Sequence, residues 1–184
     1  MSDLPTFRYH PDPVQTGSIV ERPVNCVCCG KRRDYTYTGP VYATADLDDQ
    51  LCPWCVASGA VYARFRATFT DKDALVDGFD RTRTPNRTDI IEEISRRTPG
   101  FNGWQQERWL VHCGDACAFL GPAGRAEIAS YSNVDLLESL RTDVEMSNDD
   151  FERYLARLDT DGGPTAYVFR CLHCSCLLGY SDSA

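Results

Sequence analysis

The spacing of the cysteines constrains this chain of 184 residues more than any other feature. Eight of its ten cysteines form four close pairs, Cys26/Cys29, Cys52/Cys55, Cys113/Cys117 and Cys171/Cys174. A turn with two or three intervening residues lets two thiolates converge on one cation, and a tetrahedral zinc ion needs two such turns. The pattern therefore predicts metal sites that hold the fold together.

The first two pairs predict a four-cysteine zinc site of the ribbon type, within an N-terminal part that covers about residues 24–58. The ligands would be Cys26, Cys29, Cys52 and Cys55, with 22 residues between the pairs. Gly30 directly follows the first pair and suits the positive φ that such a turn often needs after its second ligand.

The other two pairs predict a second zinc site with the ligands Cys113, Cys117, Cys171 and Cys174. Each pair follows an apolar segment that predicts a strand, at 109–111 and 167–169, so two adjacent strands could bring the pairs together.

Two histidines and two further cysteines lie beside these pairs. His112 and His173 could each replace a cysteine as ligand. The pattern favours the alternative that they lie at the surface or hydrogen-bond to ligands without binding the metal. The remaining cysteines, Cys28 and Cys176, are predicted to be small buried residues.

Sites closed by four thiolates are structural, whereas a catalytic zinc keeps one position for water or substrate. We therefore predict non-catalytic sites and no catalytic residue. One alternative is an enzyme with an open second site, in which His112, Cys113 and Cys117 surround a reactive zinc-bound water. Another is thiol redox chemistry at Cys52-Pro-Trp-Cys55, which would have to follow a β-strand, although the preceding residues 46–50 form a poor strand.

Hydrophobic periodicity and turn residues predict a small mixed domain of the α+β class over residues 1–184, with zinc knuckles at strand ends and several short helices. The first 25 residues are predicted to be extended chain on the surface. The predicted helices cover residues 56–69, 74–79, 89–97, 134–141 and 149–159. The predicted strands cover 35–38, 109–113, 117–120 and 166–169, with a turn at 114–116.

Acidic residues outnumber basic ones by 27 to 19, for a net charge of −8. This balance argues against nucleic-acid binding, which relies on Lys and Arg to neutralise phosphates. Residues 127–184 contain eleven acidic residues and four arginines, and so carry seven of the eight net negative charges. An acidic surface of this kind would attract a basic partner protein, for example a cationic nuclease toxin.

Two further surface features have alternative interpretations. The segment 104–109 contains two tryptophans and could be a binding platform, but partly buried packing is the expected default. The arginines Arg81, Arg83, Arg87, Arg96 and Arg97 alternate with acidic residues and are predicted to form a solvated face.

No signal peptide and no apolar stretch long enough to span a membrane is visible, so we expect a cytoplasmic protein. The cytoplasm keeps thiols reduced, and ten cysteines there favour metal binding over disulfides.

Several segments together resemble the CbrC family, uncharacterised bacterial proteins associated by name with colicin tolerance. They are residues 4–13, Cys26-Val-Cys-Cys-Gly30, Cys52-Pro-Trp-Cys55, 97–101, the long run 104–121 and Tyr167-Val-Phe-Arg-Cys-Leu-His-Cys174. The resemblance covers nearly the whole chain and implies one intact domain. It implies a role in toxin tolerance but supplies no reaction, and the tail Ser175-Cys-Leu-Leu-Gly-Tyr180 departs from the family's usual ending.

Overall fold

The fold contains both helices and strands, which confirms the predicted α+β class. The structure is a computed structural model that describes residues 3–72, 75, 79 and 86–183. The chain divides into two compact units, Met1–Asn102 and Gly103–Ala184. Each unit contains one of the cysteine groups described below, and the single domain over 1–184 stays a prediction.

The first unit contains short antiparallel hairpins and short helices. Its strands are β1 (Ile19–Val20), β2 (Val24–Asn25), β3 (Arg32–Arg33) and β4 (Thr36–Tyr37), and its helices are α1 (Pro53–Ala57), α2 (Ala60–Phe65) and α3 (Arg87–Arg97). Strand β1 pairs with β4, and β2 pairs with β3. Strands of two residues carry little stability alone, so the loops between them must be held by other contacts.

Two predictions for the first unit need correction. The single helix predicted over 56–69 is two helices, because Gly59 adopts a φ of 73° and breaks the helical path between α1 and α2. The N-terminal segment does not simply lie on the surface, since Phe7, Tyr9 and His10 are buried. The His10 imidazole lies 2.8 Å from the Pro99 carbonyl oxygen and 2.7 Å from Thr16 Oγ1.

Helix α3 begins two residues earlier than the predicted 89–97 and buries Ile90 and Ile94. Arg96 forms an ion pair with Glu92 on this helix. The predicted solvated face is present only in part, because Arg97 is exposed whereas Arg87 and Arg96 are half-buried, and the Arg96 guanidinium lies 4.0 Å from the ring centroid of Tyr62. Of the predicted helix at 74–79, only residues 75 and 79 are described. Arg81 and Arg83 of the predicted arginine face lie outside the described residues.

The second unit is built on a three-stranded antiparallel sheet with the order β7-β8-β9. Its strands are β5 (Val111–His112), β6 (Asp115–Ala116), β7 (Ala118–Ala123), β8 (Thr165–Arg170) and β9 (Leu177–Asp182), and its helices are α4 (Arg125–Tyr131), α5 (Val134–Val144) and α6 (Asn148–Leu155). Strands β5 and β6 form a separate hairpin next to β7 in the chain.

Helix α5 packs against β9 through Leu136 and Leu140, which are both fully buried. Gly179 of β9 permits this close approach, because a Cβ atom there would lie 2.9 Å from Leu136 Cδ1 and 3.2 Å from Leu140 Cδ2. Asn133 and Ser147 cap the N-termini of α5 and α6 by accepting hydrogen bonds from Leu136 N–H and Asp150 N–H, and the predicted cap at Ser147 is confirmed.

Aromatic rings fill the other part of this unit's core. Trp109 packs edge-on against Phe169, with ring centroids 6.0 Å apart, and Tyr167 stacks on Tyr180 at 5.0 Å. Trp109 is only 2% exposed, whereas Trp104 is 45% exposed and donates its indole N–H to Thr165 Oγ1. Of the two tryptophans of the 104–109 segment, one is therefore a core residue.

Candidate metal centres

The first cysteine cluster contains the four predicted residues. The Sγ atoms of Cys26, Cys29, Cys52 and Cys55 lie within 4.8 Å of one another and could hold a metal ion. Cys26 Sγ and Cys55 Sγ are 3.8 Å apart. Four thiolates around a tetrahedral zinc ion, at the usual Zn–S distance, are separated by about 3.8 Å. The distance between Cys26 Sγ and Cys55 Sγ is thus the one that such an ion requires.

The β2–β3 hairpin positions the first two thiols of this cluster. Its loop is closed by Cys26 N–H donating to the Lys31 carbonyl at 3.0 Å and by Gly30 N–H donating to the Cys26 carbonyl at 2.8 Å. Gly30 has a φ of 68°, as its position after Cys29 predicted. Both thiols therefore project from one tight loop.

The start of helix α1 positions the other two thiols. Cys52 is the N-cap residue, Pro53 occupies the first helical position, and Cys55 N–H donates to the Cys52 carbonyl at 3.0 Å. Val27 N–H donates to the Gln50 carbonyl at 3.1 Å and so joins the two thiol-bearing segments.

Contacts within the cluster and burial shift the thiol pKa values of Cys26, Cys52 and Cys55. A hydrogen bond from the Cys52 thiol lowers the pKa of Cys26 to about 4, and the same contact raises the pKa of Cys52. Burial raises the pKa of Cys55. The Cys26 thiolate is thus stabilised by the neighbouring Cys52 thiol, and a cation between the sulfurs would be needed to ionise Cys52 and Cys55 as well.

The second cluster consists of His112, Cys113, Cys171 and Cys174, whose donor atoms also lie within 4.8 Å of one another. Cys113 Sγ is 3.9 Å from Cys174 Sγ, and the His112 Nδ1 atom is 3.3 Å from the former and 3.4 Å from the latter. A tetrahedral zinc ion would separate sulfur and nitrogen ligands by about 3.6 Å. This group could also hold a metal ion.

A tight hairpin presents His112 and Cys113. His112 pairs with Asp115 across β5 and β6, which leaves only Cys113 and Gly114 in the loop. Both loop residues have positive φ, 52° and 74°, and this combination is typical of a type I′ turn. The turn points the two neighbouring donors toward the same side of the hairpin end.

The loop between β8 and β9 presents the other two donors and repeats the bonding of the first cluster. Cys171 N–H donates to the Cys176 carbonyl at 2.9 Å, and Ser175 N–H donates to the Cys171 carbonyl at 3.1 Å. Ser175 has a φ of 62° and takes the place that Gly30 has in the first loop. Cys171 and Cys174 are therefore held by a backbone loop like that of Cys26 and Cys29.

Cys117 does not join this cluster, and His112 lies there instead. The predicted turn at 114–116 is displaced, because the chain reverses at Cys113 and Gly114 and residues 115–116 already belong to β6. Cys117 is consequently fully buried, its carbonyl accepts the Trp109 indole N–H at 2.8 Å, and burial raises its thiol pKa. Of the four cysteines predicted for the second site, only Cys113, Cys171 and Cys174 lie together.

The remaining candidates lie outside both groups. The His173 Nε2 atom is 2.9 Å from Asp115 Oδ2, so this histidine supports the hairpin beside the cluster. Cys28 is buried as predicted, while Cys176 is half-buried with its sulfur 3.6 Å from Asp135 Oδ2. All ten cysteines are free thiols.

The model of an uncharacterised protein family, UPF0167, matches residues 4–183 of this chain. The chain belongs to the UPF0167 family. UPF0167 proteins of Mycobacterium bovis and Mycobacterium tuberculosis are each 51% identical to it over 185 residues, which cover 98% of this chain and 94% of theirs. A UPF0167 protein of Pseudomonas aeruginosa is 44% identical over 172 residues, with 93% and 92% covered. No solved structure matches.

Membership of UPF0167 agrees with the expectation of an uncharacterised bacterial family. Neither the family's description nor the names of these relatives link it to CbrC or to colicin tolerance. Among the described residues of this UPF0167 chain, no helix has both the length and the apolar character needed to cross a membrane.

The acidic residues of the second unit lie mostly on its surface. Nine of the eleven between 127 and 183 are exposed. Helix α6 carries Asp149, Asp150 and Glu152 in its first turns, and Arg153 pairs with Asp150. The helix dipole and the cap at Ser147 favour acidic side chains at this end, so part of the acidity serves the helix itself.

Proposed function

We propose that this UPF0167 protein is a non-catalytic binding protein whose two units are each stabilised by one zinc ion. The observation that carries the proposal is the pair of four-donor clusters, one with four sulfurs and one with three sulfurs and an imidazole nitrogen. Tetrahedral sets of sulfur and nitrogen donors are typical of zinc. Binding a metal there would stabilise the fold, because neither donor set is assembled in the unfolded chain.

The donor count favours structural sites over a catalytic one. A catalytic zinc uses three protein ligands and keeps a fourth position for water. The open-site alternative required His112, Cys113 and Cys117 with a free position. In the second cluster Cys171 and Cys174 complete a set of four without Cys117, which supports a closed site.

The proposed partner is a basic protein such as a nuclease toxin. This part is supported by the exposed acidic residues of the second unit and by the sequence resemblance to the CbrC family, whose name is associated with colicin tolerance. Complementary charge accelerates encounter and selects partners by sign.

The zinc proposal is tested by metal analysis of the purified full chain under reducing conditions. We expect two zinc ions per chain, and one per chain after Cys171→Ser. Cys176→Ser is the matched control, since this neighbouring cysteine lies outside the group and its loss leaves two ions. A chain with no bound zinc, or one that keeps two ions after Cys171→Ser, contradicts the proposal.

The partner proposal is tested by calorimetric titration with the nuclease domains of basic bacteriocins. We expect binding that weakens with salt and is lost when Asp149, Asp150 and Glu152 are all replaced by Lys. The matched control reverses three exposed acids of the first unit, Glu21, Asp34 and Asp48, and should leave the affinity within about threefold. No binding, or equal effects of the two triple variants, contradicts this partner class.

A further inference from the structure

The two clusters differ in how far solvent reaches their sulfurs. In the first cluster Cys26, Cys52 and Cys55 are buried and only Cys29 is exposed. In the second cluster two sulfurs, those of Cys113 and Cys174, are exposed. An oxidant in solution therefore reaches a pair of sulfurs in the second cluster but a single one in the first.

The two exposed sulfurs are also neighbours. Cys113 Sγ and Cys174 Sγ are 3.9 Å apart, although the residues are separated by 60 others in the sequence. A disulfide would require them to approach to about 2.05 Å. Each side chain stands on the tip of a loop, so rotation about its χ1 angle can supply much of this movement.

The backbone around this pair is held in conformations that side-chain-bearing residues avoid. Cys113 has a φ of 52° within the type I′ turn, and Ser175, directly after Cys174, has a φ of 62°. Such left-handed residues carry strain that surrounding interactions must maintain. Backbone hydrogen bonds hold both loops, and a metal ion bound by Cys113, Cys171 and Cys174 would add a further restraint that is lost when the metal leaves.

We propose that the second cluster is an oxidation site at which a peroxide joins Cys113 and Cys174 in a disulfide and releases the bound metal. This inference rests on the proposed zinc occupancy for the release, but not for the disulfide. The first cluster keeps its metal under the same conditions, because its one exposed sulfur has no exposed sulfur beside it.

The chemistry balances without another reactant. One thiolate attacks the peroxide, its sulfur bonds to one oxygen, and the O–O bond breaks with release of water after protonation. The second thiolate attacks the resulting sulfenic acid, the S–S bond forms, and the S–O bond breaks to give a second water. Two thiolates lose two electrons to the peroxide, two protons come from solvent, and the metal loses two of its four donors.

The disulfide would join the same two loops that the metal joins, namely the β5–β6 hairpin and the β8–β9 loop. The second unit should therefore stay folded in its oxidised form. A thiol reductant would break the disulfide, and free zinc could then bind again, so the oxidation is reversible.

The test treats the zinc-loaded full chain with hydrogen peroxide and follows released zinc with a chromogenic chelator, while peptide mapping identifies disulfides. We expect one of two ions to be released, at least about tenfold faster than the other, together with a Cys113–Cys174 linkage. Dithiothreitol and zinc should restore two ions. Release of both ions at the same rate, or a linkage confined to Cys171–Cys174 or to the first cluster, overturns the inference.

Variants separate the disulfide from general damage. Cys174→Ala should abolish the linkage, whereas Cys176→Ser, the neighbouring cysteine outside the group, should leave the linkage and its rate unchanged. Metal content before oxidation tests the proposed function separately. If the chain is metal-free but still forms the Cys113–Cys174 disulfide, zinc occupancy is contradicted and the oxidation site is supported. If the chain binds two zinc ions but forms no such disulfide, zinc occupancy is supported and the oxidation site is contradicted.

Discussion

At the scale of single residues, His112 decides which donors surround the second metal position. It lies at the end of β5, directly before the Cys113-Gly114 turn, and this placement brings its Nδ1 atom to two of the cluster's sulfurs. Cys117, four residues after Cys113, packs into the core instead. The two residues therefore have separable effects on metal binding and on packing.

We predict that His112→Ala weakens zinc binding at the second cluster by at least about tenfold, because one of four donors is lost. Cys117→Ala should keep two ions per chain and lower the free energy of unfolding by about 1 kcal/mol, through the loss of a small buried side chain. Competition with a zinc chelator measures the first effect and chemical denaturation the second. Loss of an ion in Cys117→Ala, with no loss in His112→Ala, would contradict this prediction. It would support Cys117 rather than His112 as the fourth ligand of the second cluster.

His10 makes the stability of the first unit depend on pH. Burial lowers the pKa of His10 from 6.5 to about 4, although the hydrogen bond to the Pro99 carbonyl opposes this. Between these two values the unfolded chain binds a proton that the folded chain does not. The neutral imidazole therefore contributes stability above pH 6.5, and this contribution is lost as the pH falls toward 4.

We predict that the free energy of unfolding attributable to His10 falls by about 2 kcal/mol between pH 7.5 and pH 5. The measurement compares denaturant unfolding of the wild type and His10→Gln at both values, so that any acid-induced metal loss, common to both, cancels in the difference. A difference that stays constant with pH would show that His10 already titrates near its ordinary pKa in the folded chain.

At the scale of elements, what could be predicted depended on how local the interactions are. The loop at Cys26–Gly30 is determined by its own residues, and Gly30 alone was enough to predict the positive φ after Cys29. The turn at Cys113 and Gly114 was placed too late, because β5 and β6 have only two residues each and offer no alternation from which to set the register. Cys117 had been assigned to the ligand set by its spacing from Cys113, and the true position of the turn buries it instead.

Strand β9 and helix α4 were not predicted at all, and for β9 the reason is similar. The residues Leu177-Leu-Gly-Tyr180 do not alternate, and a glycine inside a strand weakens its own propensity. The strand exists because β8 pairs with it and α5 covers it. Such tertiary contacts cannot be predicted from a single segment of sequence.

The packing of α5 on β9 leads to a prediction at Gly179. An alanine Cβ there would lie 2.9 Å from Leu136 Cδ1, 3.2 Å from Leu140 Cδ2 and 3.2 Å from the Tyr167 carbonyl oxygen. We expect Gly179→Ala to lower the free energy of unfolding by about 1–3 kcal/mol, because the helix must shift from the sheet.

The control for this change is Gly162→Ala, whose Cβ would have no neighbour closer than 3.4 Å. Its effect should stay within about 0.5 kcal/mol. Denaturant unfolding of both variants provides the measurement. Equal stabilities would mean that the Leu136 and Leu140 side chains rotate away at no cost.

At the scale of the whole molecule, each compact unit contains its own buried core and its own cluster. The ligands of the first cluster all belong to residues 26–55, and those of the second to residues 112–174. The metal positions thus divide in the same way as the chain does. The spacing of the cysteine pairs already predicted one site within residues 26–55 and another within 113–174.

We predict that Cys29→Ser removes one zinc ion per chain and destabilises the first unit selectively, because metal binding and folding are coupled there. Hydrogen exchange should show loss of protection within residues 1–102 and retained protection in the β7-β8-β9 sheet. An unchanged metal content and melting temperature would contradict a structural role for the first cluster.

The difference between the donor sets has a further consequence. Four sulfurs form a softer environment than three sulfurs and an imidazole nitrogen, and soft cations prefer thiolates while imidazole also suits harder transition metals. A chain exposed to a mixture of metals would therefore bind different metals at its two clusters. A soft competitor such as Cu(I) would enter near the N-terminal hairpin, and zinc would be retained longest near the C-terminal sheet.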